Sequence, residues 1–195
     1  MQNKLIAIVG MCGSGKSAFA DELVKQGFGY VRFGQIVLDK IKQEELQPTE
    51  TLEREIRERL RKEHGMAAFA ILNIPKFDAL LEKGNVVGDG LYSWDEYKVL
   101  KERYGNRLIV AAVYAPPRLR YERLEKRFTD AKDVDLRNRP FSREAAAARD
   151  VAEIENIAKG GPIAMADYTI LNVESLEEYH RQIREFLNWF ESHET

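Results

Sequence analysis

Leu5-Ile6-Ala7-Ile8-Val9-Gly10-Met11-Cys12-Gly13-Ser14-Gly15-Lys16-Ser17 is the stretch on which the fold turns. Its first five residues are all apolar, as a strand covered on both faces of a parallel sheet requires. The next eight fit G-x-x-x-x-G-K-[ST], a glycine-rich turn that feeds a strand into a helix. At ordinary glycine, lysine and serine usage such a match arises by chance in about one chain in 150 of this size. Glycines let consecutive main-chain N–H groups and the helix N-terminus converge on an anion without obstruction by a Cβ. Lys16 then adds a point charge that reaches the β- and γ-phosphates of a nucleotide, and the Ser17 hydroxyl is the expected Mg²⁺ ligand. Gly10, Met11, Cys12, Gly13, Ser14, Gly15, Lys16, Ser17 and Ala18 together form the expected nucleotide cradle. Cys12 lies inside it, where bound nucleotide should shield its thiol.

Outward from this loop the chain alternates strands with helices. A helical pattern runs from Lys16 to a stop at Gly27, and a short strand follows over 28–33. Helices are expected over Gln35–Glu45 and Thr49–His64, with Thr49 as N-cap and Gly65 as stop, and over Ala67–Glu82, interrupted or bent by Pro75. Val86-Val87-Gly88-Asp89 is a third strand, Trp94–Tyr104 a helix, and Leu108–Tyr114 the strongest buried-strand run. After Pro116-Pro117 come a helix, an acidic turn-rich segment, a helix from Ser142, the strand Tyr168–Leu171, and a last helix opened by the capping box Ser175-Leu176-Glu177-Glu178. The helix after Thr49 has a thin apolar line at Leu52, Ile56 and Leu60. Its other positions pair at i,i+4 as Glu50/Arg54, Glu53/Arg57, Glu55/Arg59 and Glu58/Lys62, so it is expected to be mostly solvated and movable. This order predicts an α/β, three-layer αβα fold with a five-stranded parallel sheet, whose ligands bind at the carboxyl ends of the strands.

Composition narrows the function. The 195 residues are 44% hydrophobic and 32% charged, enough for one domain over 1–195 with a real core. A net charge of −2 supplies no global field for nucleic acid or an anionic bilayer, so neither is expected as a partner. A single cysteine forms no internal disulfide, no apolar run reaches membrane length, and the apolar start is too short for a signal peptide, which together point to a reducing cytoplasm. His64, His180 and His193 are scattered and show no metal-ligand spacing.

Among nucleotide-binding classes, GTPases need an Asn-Lys-x-Asp guanine reader and an Asp-x-x-Gly switch, and neither string is present. The chain resembles the nucleoside monophosphate kinase and dephospho-coenzyme A kinase group of P-loop proteins, nearest to an adenylate-kinase-like branch of unassigned substrate. The likeness spans nearly the whole chain. It is carried by the P-loop, by Gln47-Pro48-Thr49 with Glu63-His64-Gly65-Met66, by Val86 to Gly90, by Arg120-Tyr121-Glu122-Arg123-Leu124 and by Ala164-Met165-Ala166-Asp167-Tyr168. The resemblance implies ATP and Mg²⁺, an acceptor-binding arm over about 35–83 and an arginine-bearing lid over about 128–142. It implies metal- or acceptor-side work for Asp89 beside Ser17, phosphoryl contacts for Arg127, Arg143 and Arg149, and an adenine-side wall at Asn172 and Val173. Read as residues alone, the arginine series from Arg120 to Arg143, with Arg137 and Arg139 near the expected tip, suits either an anion clamp or a salt-bridged surface. Asp89 likewise suits either a metal-bound water or the acceptor's proton.

Two departures fall on the acceptor side. Monophosphate kinases of this group typically carry an arginine just beyond the Asp-Gly, where this chain has Leu91-Tyr92-Ser93, and an acidic residue after the second strand, where it has Gly34-Gln35. Arg32 is the expected replacement charge, Tyr92 the expected stacking surface, and Gly34 and Gln35 the expected remainder of the acceptor pocket. The expected activity is an ATP-dependent small-molecule kinase moving the γ-phosphoryl group to a small acceptor, a nucleoside monophosphate or a dephospho-CoA-like compound. The alternative is a nucleotide-gated binding or assembly protein.

Overall fold

β1 (Leu5–Val9) lies at the centre of a sheet completed by β2 (Gly29–Arg32), β3 (Val86–Asp89), β4 (Leu108–Tyr114) and β5 (Tyr168–Leu171). The order is β2-β3-β1-β4-β5 and every pairing is parallel. All five β1 residues are buried, which is why that segment reads as an unbroken apolar run. This computed structural model describes residues 2–127 and 141–193, and most of the expected lid range, 128–140, lies outside them.

Alternate residues of β1 enter different cores, as the two-residue strand period dictates. Leu5, Ala7 and Val9 join Phe33, Phe69, Phe77 and Leu100 on one face. Ile6 and Ile8 join Phe19, Leu23, Ile183 and Phe186 on the other. The second face is covered by α1 (Lys16–Lys25) and α9 (Leu176–Ser192). Ser175 caps α9 by accepting from the Glu178 N–H at 3.1 Å, and the Glu178 carboxylate pairs with Arg181 at 2.6 Å.

The first face carries α2 (Gln35–Gln43), α3 (Glu50–His64), α4 (Ala68–Leu81) and α5 (Trp94–Tyr104). Thr49 caps α3 through the Leu52 N–H at 3.2 Å, and Gly65 closes it at φ 80°. Ile56 and Leu60 are buried, so the thin apolar line anchors α3 while the rest of its surface is largely solvated. Arg59 reaches across to Glu44 at 2.5 Å, where the i,i+4 pattern predicts Glu55. The expected interruption at Pro75 is absent, and α4 is one helix. Buried Phe69 and Phe77 hold its two halves to the core, and the Asn73 amide donates to Phe69 O at 2.8 Å and to Phe33 O at 3.2 Å, so tertiary packing overrides the lost N–H.

On the far side of β1, α6 (Pro117–Glu125) is followed by α7 (Arg143–Ile157), capped by Ser142 as expected, and by a short α8 (Gly160–Ala164) that no sequence signal announces. Among the described residues no helix is long and apolar enough to cross a membrane.

Candidate active site

The loop between β1 and α1 is held largely by its carbonyls, and of its N–H groups that of Ser14 donates within the loop to Met11 O at 3.2 Å. Arg120, 3% exposed, donates from Nη1 to Cys12 O at 3.0 Å and from Nε to Ala115 O at 2.9 Å, and makes a bidentate pair with Asp150 at 2.9 and 2.6 Å. Asn172 Nδ2 donates to Ser14 O at 2.8 Å, the Tyr179 hydroxyl donates to Gly15 O at 2.9 Å, and Arg123 Nη2 secures Asn172 Oδ1 at 3.0 Å. This close backing explains Gly15, whose φ is +108° and where a Cβ would sit 2.3 Å from Asn172 Nδ2. No acidic residue of α1 occupies its first turn, and the carboxylate that stands there, Asp89, comes from β3. The Ser14 hydroxyl is buried with no hydrogen-bond partner among the described residues. Lys16 Nζ donates to Met11 O at 3.1 Å, and enclosure by the protein, followed by the nearby Lys159 cation, lowers its pKa to about 8. Such a cradle fits the phosphates of a nucleotide.

Register places Asp89 opposite Ile8, so the end of β3 stands beside the loop. Ser17 Oγ donates to Asp89 Oδ2 at 3.3 Å, and the Tyr30 hydroxyl donates to the same oxygen at 3.1 Å. These hard oxygen donors suit Mg²⁺, which is typically bound through one or two carboxylates together with substrate phosphates. Among the described residues no group of three or more His, Cys, Asp or Glu side chains could hold a metal by itself.

From the loop a cavity of about 830 Å³ runs between α7 and α3. Lys16, Ser17, Arg127, Arg149, Arg32, Gly34 and Tyr92 all line it. Arg149 pairs with Glu153 at 3.0 Å, and Glu153 also receives Lys159 Nζ at 2.6 Å. Burial alone would raise Glu153, but Lys159 and then Arg149 outweigh it and hold the carboxyl at about 2.

A family profile described as an AAA domain matches residues 6–152. A protein of Thermococcus gammatolerans described as a UPF0200 protein is 36% identical over 182 residues, 92% of each chain. Another from Sulfurisphaera tokodaii is 35% identical over 185 residues, 94% of this chain and 96% of its own. The chain belongs to the UPF0200 family. In structure this UPF0200 chain is similar to shikimate kinase from Bacteroides thetaiotaomicron, at TM-score 0.56 and 14% identity over 96% of this chain and 98% of that one. It is also similar to a gluconokinase from Sinorhizobium meliloti, at TM-score 0.52 and 14% identity over 97% and 98%. The fold is that of P-loop kinases, as the order of its strands and its loop imply.

The remaining expected site residues of the UPF0200 chain lie elsewhere. Gln35 does not line the cavity and donates to Asp39 at 3.2 Å. Asn172 is behind the loop, and Val173 is exposed and does not line the cavity. Arg143 pairs on the surface with Glu125 at 3.1 Å and Glu122 at 3.7 Å. Arg137 and Arg139 fall outside the described residues.

Other contributors carry no sequence signal of their own. Arg120 and Asp150 are 30 residues apart and meet only in the fold. Lys159 is 1% exposed, lies 5.1 Å from the Tyr92 ring centre and ties that ring to Glu153. Tyr92 in turn needs Gly34, where a Cβ would be 2.9 Å from its hydroxyl. Glu96 completes a capping box with Ser93, and its Oε2 also accepts the Tyr92 N–H at 2.8 Å. Burial raises the Glu96 carboxyl to about 7 against the pull of those N–H donors. Arg54, Arg57 and Arg61 of α3 line the cavity as well. Their i,i+3 and i,i+4 spacing is visible in the sequence, but it is equally the spacing of a solvated helix.

Proposed function

We propose that this protein binds Mg·ATP and transfers its γ-phosphoryl group to a small acceptor. The observation that carries this reading is a cavity of about 830 Å³ whose lining includes Lys16 and Ser17 of the cradle together with Arg32, Tyr92 and residues of α3. A nucleotide hydrolase needs room for a water beside the γ-phosphate; a cavity of this extent suits a second substrate. Kinship of fold with kinases named for shikimate and gluconate supports a small acceptor.

In this reading the chain's own residues act mainly by positioning and charge. The loop amides and Lys16 hold the β- and γ-phosphates. Arg149, oriented by Glu153, and Arg127 face the transferring group, whose charge spreads over three oxygens. Ser17 and Asp89 would hold Mg²⁺, which when bound screens the phosphate charge. Asp89, kept in place by Tyr30, also stands where the acceptor hydroxyl would approach.

The deciding experiment is ADP release by the purified protein against nucleoside monophosphates, dephospho-CoA and small hydroxy acids. ADP formed only with an acceptor supports the reading. ADP formed equally without one makes the protein an ATPase, and tight ATP binding with no ADP favours nucleotide-gated binding or assembly.

A further inference from the structure

Glu53, Arg57 and Arg61 recur at i,i+4 along α3 and line the cavity. Two of the three α3 arginines there have carboxylates beside them: Arg54 meets Glu58 at 4.0 Å and Arg57 meets Glu53 at 3.5 Å. Arg61 does not. It has no carboxylate within 4 Å among the described residues, and its Nε is buried with no hydrogen-bond partner among them. Its guanidinium lies 5.3 Å from the centre of the Phe69 ring, a contact that fixes its position without satisfying its donors.

The neighbouring carboxylate of Glu96 does not fill the gap. Its Oε2 is engaged by the Tyr92 and Ser93 N–H groups, and its Oε1 is also without a partner among the described residues. Burial disfavours charge on both, lowering Arg61 and raising Glu96 from their ordinary values. A planar fork of donors matches a carboxylate or a phosphate in two-point geometry, and a buried donor such as the Arg61 Nε left without an acceptor is costly unless a ligand supplies one. Phe69, Tyr92, Val37 and Leu38 add apolar surface to the same cavity. The charge missing after Asp89-Gly90, where Leu91-Tyr92 stands, is therefore available from α3, since Arg61 lies over Phe69 and the Phe69 ring packs against Tyr92.

We infer that Arg61, backed by Phe69 and assisted by Arg57, is an anion subsite that receives a carboxylate or phosphate of a small acceptor with a flat or apolar body. The inference rests on the phosphotransfer reading only for the word acceptor; the binding itself is independent of it.

The test is calorimetry on the full chain with two ring-bearing anions, benzoate and phenyl phosphate, and the neutral benzamide. Wild type, Lys16→Ala, Arg61→Gln and Arg61→Lys are compared, with ADP·Mg titrated separately. At least one anion should bind wild type and Lys16→Ala alike, lose about tenfold or more in Arg61→Gln and recover in part in Arg61→Lys, which keeps the charge without the fork. The better-bound anion tells carboxylate from phosphate. Absence of binding by either anion, a loss below about tenfold in Arg61→Gln, or equal binding of benzamide overturns the subsite. Arg61-dependent anion binding by a protein with no affinity for ADP·Mg would instead keep the subsite and remove phosphotransfer.

Discussion

Ser17 and Asp89, 72 residues apart in the chain, meet through a 3.3 Å hydrogen bond from hydroxyl to carboxylate at the mouth of the phosphate loop. The contact exists because β3 pairs with β1 in a register that sets Asp89 against Ile8. Asp89→Asn keeps the shape and the hydrogen bond but removes the charge a divalent cation needs. Magnesium-dependent ATP consumption should fall about a hundredfold, while ATP binding measured in a chelator changes little. Equal turnover by the variant at saturating magnesium would remove Asp89 from the site.

Lys16 should make nucleotide affinity depend on pH. Enclosure, then the Lys159 cation, takes it from 10.5 in the open chain to about 8 in the fold. Between those values the unfolded chain holds more protons, so this residue's contribution to stability rises with pH there. Phosphate binding requires the ammonium form, so affinity for ATP should drop about tenfold as the pH rises from about 7 to about 9. Lys16→Ala should cost about 3 kcal/mol of transition-state stabilisation and should flatten that pH profile. A profile unchanged in the variant would assign the titration to another group.

Asp150 matters through Arg120. The bidentate pair is buried, with 4% and 9% side-chain exposure, and the same arginine holds Cys12 O. Asp150→Ala would strand a buried guanidinium and release the loop, at a cost of about 3–5 kcal/mol. Thermal denaturation should show a midpoint lower by roughly 10 °C in a chain of this size. A shift of only a degree or two would mean that water replaces the carboxylate without penalty.

Cys12 lines the cavity within the cradle and is partly exposed. Saturating Mg·ATP should slow its alkylation by iodoacetamide about tenfold or more, the shielding expected of a thiol under bound phosphates. The readout is one modified residue per chain by mass spectrometry, since this is the sole cysteine. Identical rates with and without nucleotide would place the phosphates elsewhere.

Much of the architecture was legible because its signals are local. The apolar run of β1, the glycine-rich turn, the Thr49 and Ser142 caps and the stop at Gly65 each depend on a few neighbouring residues. At Pro75 the local rule predicts a break or a bend; the break is absent, because the contacts of Phe69, Asn73 and Phe77 keep the helix continuous. Arg143, to which the family resemblance gives a phosphoryl contact, pairs at the surface with Glu125, while the surroundings of Arg61 include Phe69 of α4 and Glu96 of α5, which no local pattern on α3 announces.

The amino-acid sequence alone determined that this is an αβα P-loop protein with its glycine-rich loop at Gly10–Ser17, because strand burial, turn geometry and helix capping are written over short spans. Only the tertiary structure decided which charges face the cavity. Arg120 and Asp150 bury each other behind the loop, Lys159 ties Glu153 to Tyr92, and Arg61 sets its guanidinium over Phe69 with its Nε lacking a partner among the described residues. Burial and electrostatic pairing depend on contacts between residues tens of positions apart, and a charge on a helix looks the same in sequence whether water or a ligand is its partner.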